Sequence, residues 1–248
     1  EKMSFPAESG ASTIQWGNTT QQSDPSITEV ELDAEELSAY TAVRKTVLQD
    51  ARSDVTGWMT QMMSESAGQA LDTAAFNGDG TSTYGYCSGL LTSACGYSVA
   101  MDAGSTEFSN LSAEFLSLIL TKLTQNKKDG AAWYMNGEIL HYIRTLKDSS
   151  GRYAFMETLG GVVSPNVFSY PYREVSTMPA ISASTANKAF IVFGNLKYFA
   201  VGRRLNSATL ETDPYGLWTT NRIRFKLYQR WALKIALANG FVRGLTHS

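Results

Sequence analysis

Arg222-Ile223-Arg224-Phe225-Lys226-Leu227-Tyr228-Gln229-Arg230-Trp231-Ala232-Leu233-Lys234-Ile235-Ala236-Leu237 is the stretch that decides the architecture. Ile223, Phe225, Leu227, Trp231, Leu233, Ile235 and Leu237 share one parity. Arg222, Arg224, Lys226, Tyr228, Arg230 and Lys234 share the other, with Gln229 the single break. Side chains alternate faces along a strand, so this spacing predicts one half-buried strand with an apolar and a basic face. At the usual rise its fifteen residues reach about 50 Å, far beyond the ordinary strand of about five or six residues.

The basic face is part of a wider asymmetry. Residues 201–248 hold eight bases (Arg203, Arg204, Arg222, Arg224, Lys226, Arg230, Lys234 and Arg243) against Glu211 and Asp213. Residues 1–44 hold eight acids (Glu1, Glu8, Asp24, Glu29, Glu31, Asp33, Glu35 and Glu36) against Lys2 and Arg44. Over 248 residues the total is a net charge of only −2. Without a long basic run, the chain lacks the surface by which a dedicated nucleic-acid binder displaces counterions. Its 43% hydrophobic and 18% charged residues describe a folded protein able to bury a core. No apolar run approaches the roughly 20 residues of a membrane span, and no signal-peptide layout opens the chain. Cys87 and Cys95 are too few for a disulfide framework and match no metal pattern, which implies a reducing compartment and a protein that is intracellular or assembled inside a cell. The first residue is Glu1, so a processed product, or a segment missing upstream, is expected.

Upstream of the long strand the periodicity changes twice. Ile14 and Trp16 share a parity, as do Val30 and Leu32, around a polar stretch from Gly17 to Pro25. That predicts a hairpin, too poor in apolar residues to stand alone. From Ser53 onward Val55, Trp58, Met59, Met62, Met63, Ala67, Ala70, Leu71, Ala74 and Ala75 recur at three- and four-residue steps, predicting a helix of about six turns capped by Ser53 or Asp54 and stopped by Gly78. After Asn77-Gly78-Asp79-Gly80-Thr81, residues 82–106 predict a long irregular connection. A second helix follows, capped by Ser112, burying Phe115, Leu116, Ile119, Leu120 and Leu123, with Lys127 and Lys128 at its end and Gly130 as the stop. Ala131 to Met135 predicts a short strand, Asn136 a cap for a third helix with Ile139, Leu140, Ile143 and Leu146, and the segments 189–192 and 198–201 two more strands. This mixture is an α+β fold.

Constellations for chemistry are thin. Gly85-Tyr86-Cys87-Ser88-Gly89 resembles a hydrolase nucleophile elbow with His141 as a nominal base, but an elbow needs a strand before it and a helix after it. Gly78-Asp79-Gly80-Thr81 has no adjacent lysine and follows a helix, so it fails as a phosphate loop. Two histidines supply neither a metal site nor a triad. No catalytic residue, cofactor or metal is expected, and the chain reads as a non-enzyme.

The order of parts resembles the major capsid proteins of tailed bacteriophages, the Hong Kong 97 fold family. The residues that carry the likeness are the acidic hairpin, the long helix, Asn77-Gly78-Asp79-Gly80-Thr81 and Gly89-Leu90-Leu91, followed in order by Trp133-Tyr134-Met135-Asn136, Leu146-Lys147-Asp148 through Gly151-Arg152-Tyr153, and Phe193-Gly194-Asn195. The likeness covers about residues 11–248. It implies an extended loop over residues 1–50, a peripheral domain over 51–81 and 202–235 built on the long helix and long strands, and an axial α/β domain over 82–201 and 236–248. The family's amino-terminal arm and any scaffolding segment look absent or short. The implied function is self-assembly into hexamers and pentamers of an icosahedral shell around double-stranded DNA. Portal, and scaffold or decoration proteins, are implied partners, with no sequence-specific DNA contact and no membrane. The implied location is the virion capsid, assembled in the bacterial host cytoplasm. An encapsulin-like nanocompartment shell is the alternative, and a cysteine or serine hydrolase the distant one.

Opposite charge at the two ends suggests surfaces made for neighbouring copies. The expected inter-subunit contact sets Glu29, Glu31, Asp33, Glu35 and Glu36 of one copy across Arg222, Arg224, Lys226 and Arg230 of the next, against the alternative of two separately solvated faces. Side chains two apart on a strand are spaced about 7 Å, so rows of this kind match step for step.

Overall fold

A computed structural model describes residues 3–8, 27–50, 54–147, 151, 166–204 and 209–248. In chain order the elements are β1 (Met3–Glu8), β2 (Ile27–Leu32), β3 (Glu35–Arg44), α1 (Lys45–Asp50), α2 (Val55–Asn77), β4 (Tyr97–Ala100), α3 (Ala113–Lys122), β5 (Ala132–Met135), α4 (Gly137–Thr145), β6 (Asn166–Val167), β7 (Tyr170–Glu174), β8 (Ala189–Gly194), β9 (Phe199–Arg203), β10 (Thr209–Leu217), β11 (Arg222–Ile235) and β12 (Phe241–Leu245). Among the described residues they form a β1-β2 hairpin, a sheet in which β11 is flanked by β3 on one side and by β10 and β9 on the other, and a six-stranded sheet ordered β4-β12-β8-β5-β7-β6.

Strand β11 is long because it serves two cores. Its first half, with Ile223, Phe225 and Leu227, packs under Met59, Met63 and Ala67 of α2. Leu233 and Ile235 of its second half pack against another cluster that holds Phe76, Leu90, Val192 and Phe241. The single-parity expectation is interrupted after Gln229 and resumes with Leu233 and Ile235. Between these points Ala232, on the other parity, is the buried residue and Trp231 is half-buried, its indole Nε1 donating to Gln229 Oε1 at 2.7 Å. The break in the pattern is where the strand leaves one core for the next.

Helix α2 begins where Asp54 accepts a hydrogen bond from the Gly57 amide at 3.0 Å. Its buried residues are Met59, Met63, Ala67, Ala74 and Phe76, whereas Trp58 and Met62 of the expected stripe stand 61% and 44% exposed. The end of the helix is clasped by the chain that follows it. Gly80 N donates to Cys87 O (2.9 Å), Gly89 N to Gly78 O (2.8 Å), Leu90 N to Ala75 O (2.9 Å) and Leu91 N to Phe76 O (3.0 Å). Here main chain lies on main chain, and only glycine leaves room: a Cβ on Gly89 would sit 2.5 Å from Phe76 O, and one on Gly78 2.4 Å from Ala74 O.

In the six-stranded sheet β8 is buried along its whole length. One face carries the cluster of Phe115, Leu116, Ile119, Ile139, Leu140 and Ile143 from α3 and α4, which are capped by Ser112 and Asn136 as expected. Helix α3 is shorter than expected. Leu123 turns inward in an extended conformation, and Gln125–Lys127 forms a separate 3-10 turn, so Lys127 and Lys128 do not sit at its last turn. Strand β12 fills the gap between β4, to which it is parallel, and β8, to which it is antiparallel. The hairpin pairs Met3 with Leu32 through Glu8 with Ile27, so its first arm is β1, and the expected strand at Ile14 and Trp16 lies outside the described residues.

Candidate assembly interface

The acidic and basic residues singled out from the sequence meet partly within one chain. The acids are split between two strands: Glu29 and Glu31 project from the exposed side of β2, opposite the buried Val30 and Leu32, Asp33 lies in the break, and Glu35 and Glu36 open β3. Strand β3 pairs antiparallel with β11 of its own chain, setting Glu35 beside Trp231, Glu36 beside Arg230 and Arg44 beside Arg222. Lys226 Nζ lies 3.7 Å from Glu36 Oε1, an exposed ion pair of the kind worth at most about 1 kcal/mol. Arg224 faces Asp213 of β10 at 3.6 Å. The amides of Tyr215 and Gly216, each 2.9 Å from Asp213 Oδ1, hold that carboxyl below its ordinary pKa, with Arg224 a lesser cause. This bend therefore contributes stability above the ordinary carboxylate range and loses it as pH falls through the lowered value.

Two of the bases have a role that alternation could not reveal. Arg230 Nη2 donates to Ala34 O at 3.0 Å and Lys234 Nζ to Glu31 O at 3.1 Å. Both grip the main chain at the break between β2 and β3, so the base of the hairpin is fixed to β11 by side chains that reach across from it. Beneath lies a cavity of about 370 Å³ lined by Glu31, Asp33, Glu35, Tyr86 and Lys234 among others. The signal available in the sequence was the mere presence of long cations late in the strand.

The hydrolase alternative is overturned. A 3-10 turn, Ser82–Tyr84, precedes Cys87, and Ser88 bridges to Asp79, so no strand-turn-helix elbow exists there. Cys87 and Cys95 are 1% and 5% exposed, and burial pushes both thiols up to about 11, Cys95 despite the opposing influence of Arg243 and hydrogen bonds. The thiolate is the nucleophile, so at pH 8 both should resist iodoacetamide in the folded chain and react only after denaturation. Rapid stoichiometric labelling of the native protein would contradict this. Among the described residues no group of acids, cysteines and histidines is placed to hold a metal, and no helix is long and apolar enough to cross a membrane.

The fold itself is shared with capsid shells. The chain aligns with a capsid chain of a native GTA particle at a TM-score of 0.80 and 18% identity, covering 100% of this chain and 85% of that one. The Gordonia phage Cozz structure aligns at 0.71 and 13%, covering 99% and 81%. The Mycobacterium phage Ogopogo structure aligns at 0.70 and 13%, covering 99% and 87%. No curated protein sequence matches the chain. The arrangement of hairpin, long helix, long strand and six-stranded sheet is thus the Hong Kong 97-type capsid fold, in a structural protein and not an enzyme. The sequence profile of the phage capsid family matches residues 1–244, and the chain belongs to that family.

Proposed function

We propose that this shell protein is the major capsid protein of a tailed phage, forming hexamers and pentamers that close an icosahedral container around double-stranded DNA. The observation that carries the reading is the family match along residues 1–244, joined to a fold shared with capsid chains over the whole length. A hairpin whose sequence is sparse in large apolar residues agrees with it, because such an element needs a surface beyond its own. A near-neutral chain also suits a container that must not adhere to its cargo. On this reading residues 1–50 supply the extended loop, 51–81 with 202–235 the peripheral domain, and 82–201 with 236–248 the axial domain, β3 joining the peripheral sheet by its pairing with β11. Assembly takes place in the host cytoplasm, with a portal and any scaffold or decoration proteins as partners. The test is to isolate particles and identify their content: double-stranded DNA with a portal supports the reading, whereas a tail-less shell filled with protein points to a nanocompartment.

The same reading assigns Glu29, Glu31 and Asp33 to the basic face of a neighbour, where Arg222 and Arg224 lie. Reversing the three acids to lysine should lower assembly yield and change its salt dependence, since exposed charges are screened over about 8 Å at physiological ionic strength. Reversal of Arg222 to glutamate, which leaves the intrachain pairs of Arg224 with Asp213 and of Lys226 with Glu36 in place, should then restore part of the yield. An unchanged yield in the first variant would dissociate the two rows.

Some relatives tie subunits together by an isopeptide bond from a lysine in the extended loop. The loop's two lysines, Lys2 and Lys45, stand at its base, and the stretch between them, Met3 to Arg44, has no lysine to serve as the nucleophile. Boiled and reduced mature particles should therefore give one band near 27.1 kDa. A ladder of multiples would show a cross-link formed from elsewhere.

A further inference from the structure

The two outer edges of the sheet around β11 are built differently. Strand β10 carries Pro214 and a register break between Asp213 and Leu217, devices that blunt an edge against further pairing. Strand β3 has ten residues with no proline and an unbroken register along β11. The direction of its hydrogen bonds follows from its neighbours. Arg230 O accepts from Arg204 N on the β9 side, and Asn221 O accepts from Lys45 N on the β3 side, so odd residues of β11 bond to odd residues of β3. The main-chain groups of Glu36, Ser38, Tyr40 and Ala42 consequently point away from the sheet, and among the described residues none of them meets a partner. Tyr40 in the middle of this edge is 78% exposed.

We infer that β3 pairs antiparallel with β3 of a second copy of this chain, about a two-fold axis at Tyr40. The inference rests on the shell reading and names a contact within it. Charge selects the register. With Tyr40 opposite Tyr40, Glu36 faces Arg44 and Glu35 faces Lys45, so both ends of the joined strands carry complementary pairs. A slip of two residues in the pairing loses both. In this register the outward groups of Glu36, Ser38, Tyr40 and Ala42 all point at the partner, and Leu37 faces Val43 on the apolar side. The contact is isologous, as a two-fold requires, and closes on itself instead of propagating.

A second observation converges on the same edge. Helix α2 packs over β3 and β11 and runs antiparallel to β3, its start with Val55 lying in the cluster that holds Val43 and its later residues Ala70 and Ala74 lying beside Glu35, Glu36 and Leu37. Trp58 and Met62 each precede a buried methionine by one residue, about 100° round the helix. On a right-handed helix in this orientation that row emerges on the side of β3's open edge. The two-fold places the second α2 on the same face of the continued sheet, with its own Trp58 and Met62 turned towards the first. The exposed apolar row and the unpaired strand edge thus have one occupant.

Cysteine substitution in assembled particles reads the register. Because Cys87 and Cys95 are buried, Tyr40→Cys alone should give a covalent dimer of twice 27.1 kDa on mild oxidation or with a short bis-maleimide. Ser38→Cys alone should not, whereas Ser38→Cys with Ala42→Cys should. In the Tyr40→Cys background, Glu36→Lys should cut the dimer yield severalfold and a further Arg44→Glu should restore it, although the second change cannot remake the contact of residue 36 with Lys226. Intact particles without a Tyr40→Cys dimer, or with an equal dimer from Ser38→Cys, would overturn the pairing and leave the shell reading standing. Absence of particles from the unsubstituted chain would sink the shell reading and the pairing with it.

Discussion

Gly89→Ala is expected to destabilise the chain by about 3 kcal/mol, at the upper end of what overpacking ordinarily costs, and Gly89→Val to leave no soluble folded protein. The reason is the kind of atom in the way. A flexible side chain would swing aside, but the added carbon meets Phe76 O and Phe76 C at 2.5 and 2.6 Å, and Gly78 N at 2.7 Å. Those atoms belong to the end of α2 and to the hydrogen bonds that lay Gly89, Leu90 and Leu91 upon it. Relief requires parting the clasp, and with it Leu90, which is fully buried where the helix end joins the rest of the core. Gly68 supplies the contrast. It lies in α2 with nothing within 4 Å of an added carbon, so Gly68→Ala should stabilise the protein by about 0.5 to 1 kcal/mol. Denaturant melts of the two variants should move in opposite directions, and equal shifts would refute the clasp.

Stopping the chain after Leu237 should abolish cooperative folding. That truncation removes β12, the strand between β4 and β8, together with Phe241 and Val242, which are fully buried. It also removes Thr246, whose hydroxyl accepts from Lys188 N and donates to Thr185 O. Truncating one buried phenylalanine commonly costs about 3 to 5 kcal/mol, and the total stability of a domain is only about 5 to 15 kcal/mol. Losing a central strand exceeds what remains. Stopping after Thr246 deletes one half-exposed and one exposed residue and two main-chain bonds, His247 N to Ser105 O and Asn187 N to His247 O, while β12 and its buried side chains remain, so that chain should stay folded. Size-exclusion and circular dichroism profiles of both truncations decide the matter: a native profile from the shorter one would contradict the placement of β12.

These two sites illustrate what a single sequence reveals. Long periodic segments were legible: the helix from Val55 to Asn77 and the strand from Arg222 to Ile235 follow from hydrophobic spacing, and Asp54, Ser112 and Asn136 were readable as caps from side-chain chemistry. The glycine clasp was visible only as a motif, because close approach of two main chains leaves no mark in a pattern of polarity. The end of α3 was missed since Leu123 satisfies the helical period yet turns into the core from an extended backbone. Charge was legible by residue type and not by partner. Glu36 meets Lys226 within one chain because β3 and β11 are antiparallel in a register set by tertiary topology, which alternation alone does not encode. The open edge of β3 was likewise hidden, because an edge is defined by the strand that fails to arrive.

A chain that builds a shell should reveal it by electron microscopy of the purified protein at micromolar concentration. The unsubstituted chain should give rings of five and six subunits and closed particles with icosahedral symmetry. A uniform field of 27.1 kDa monomers under the same conditions, with the fold intact by circular dichroism, would contradict the shell reading.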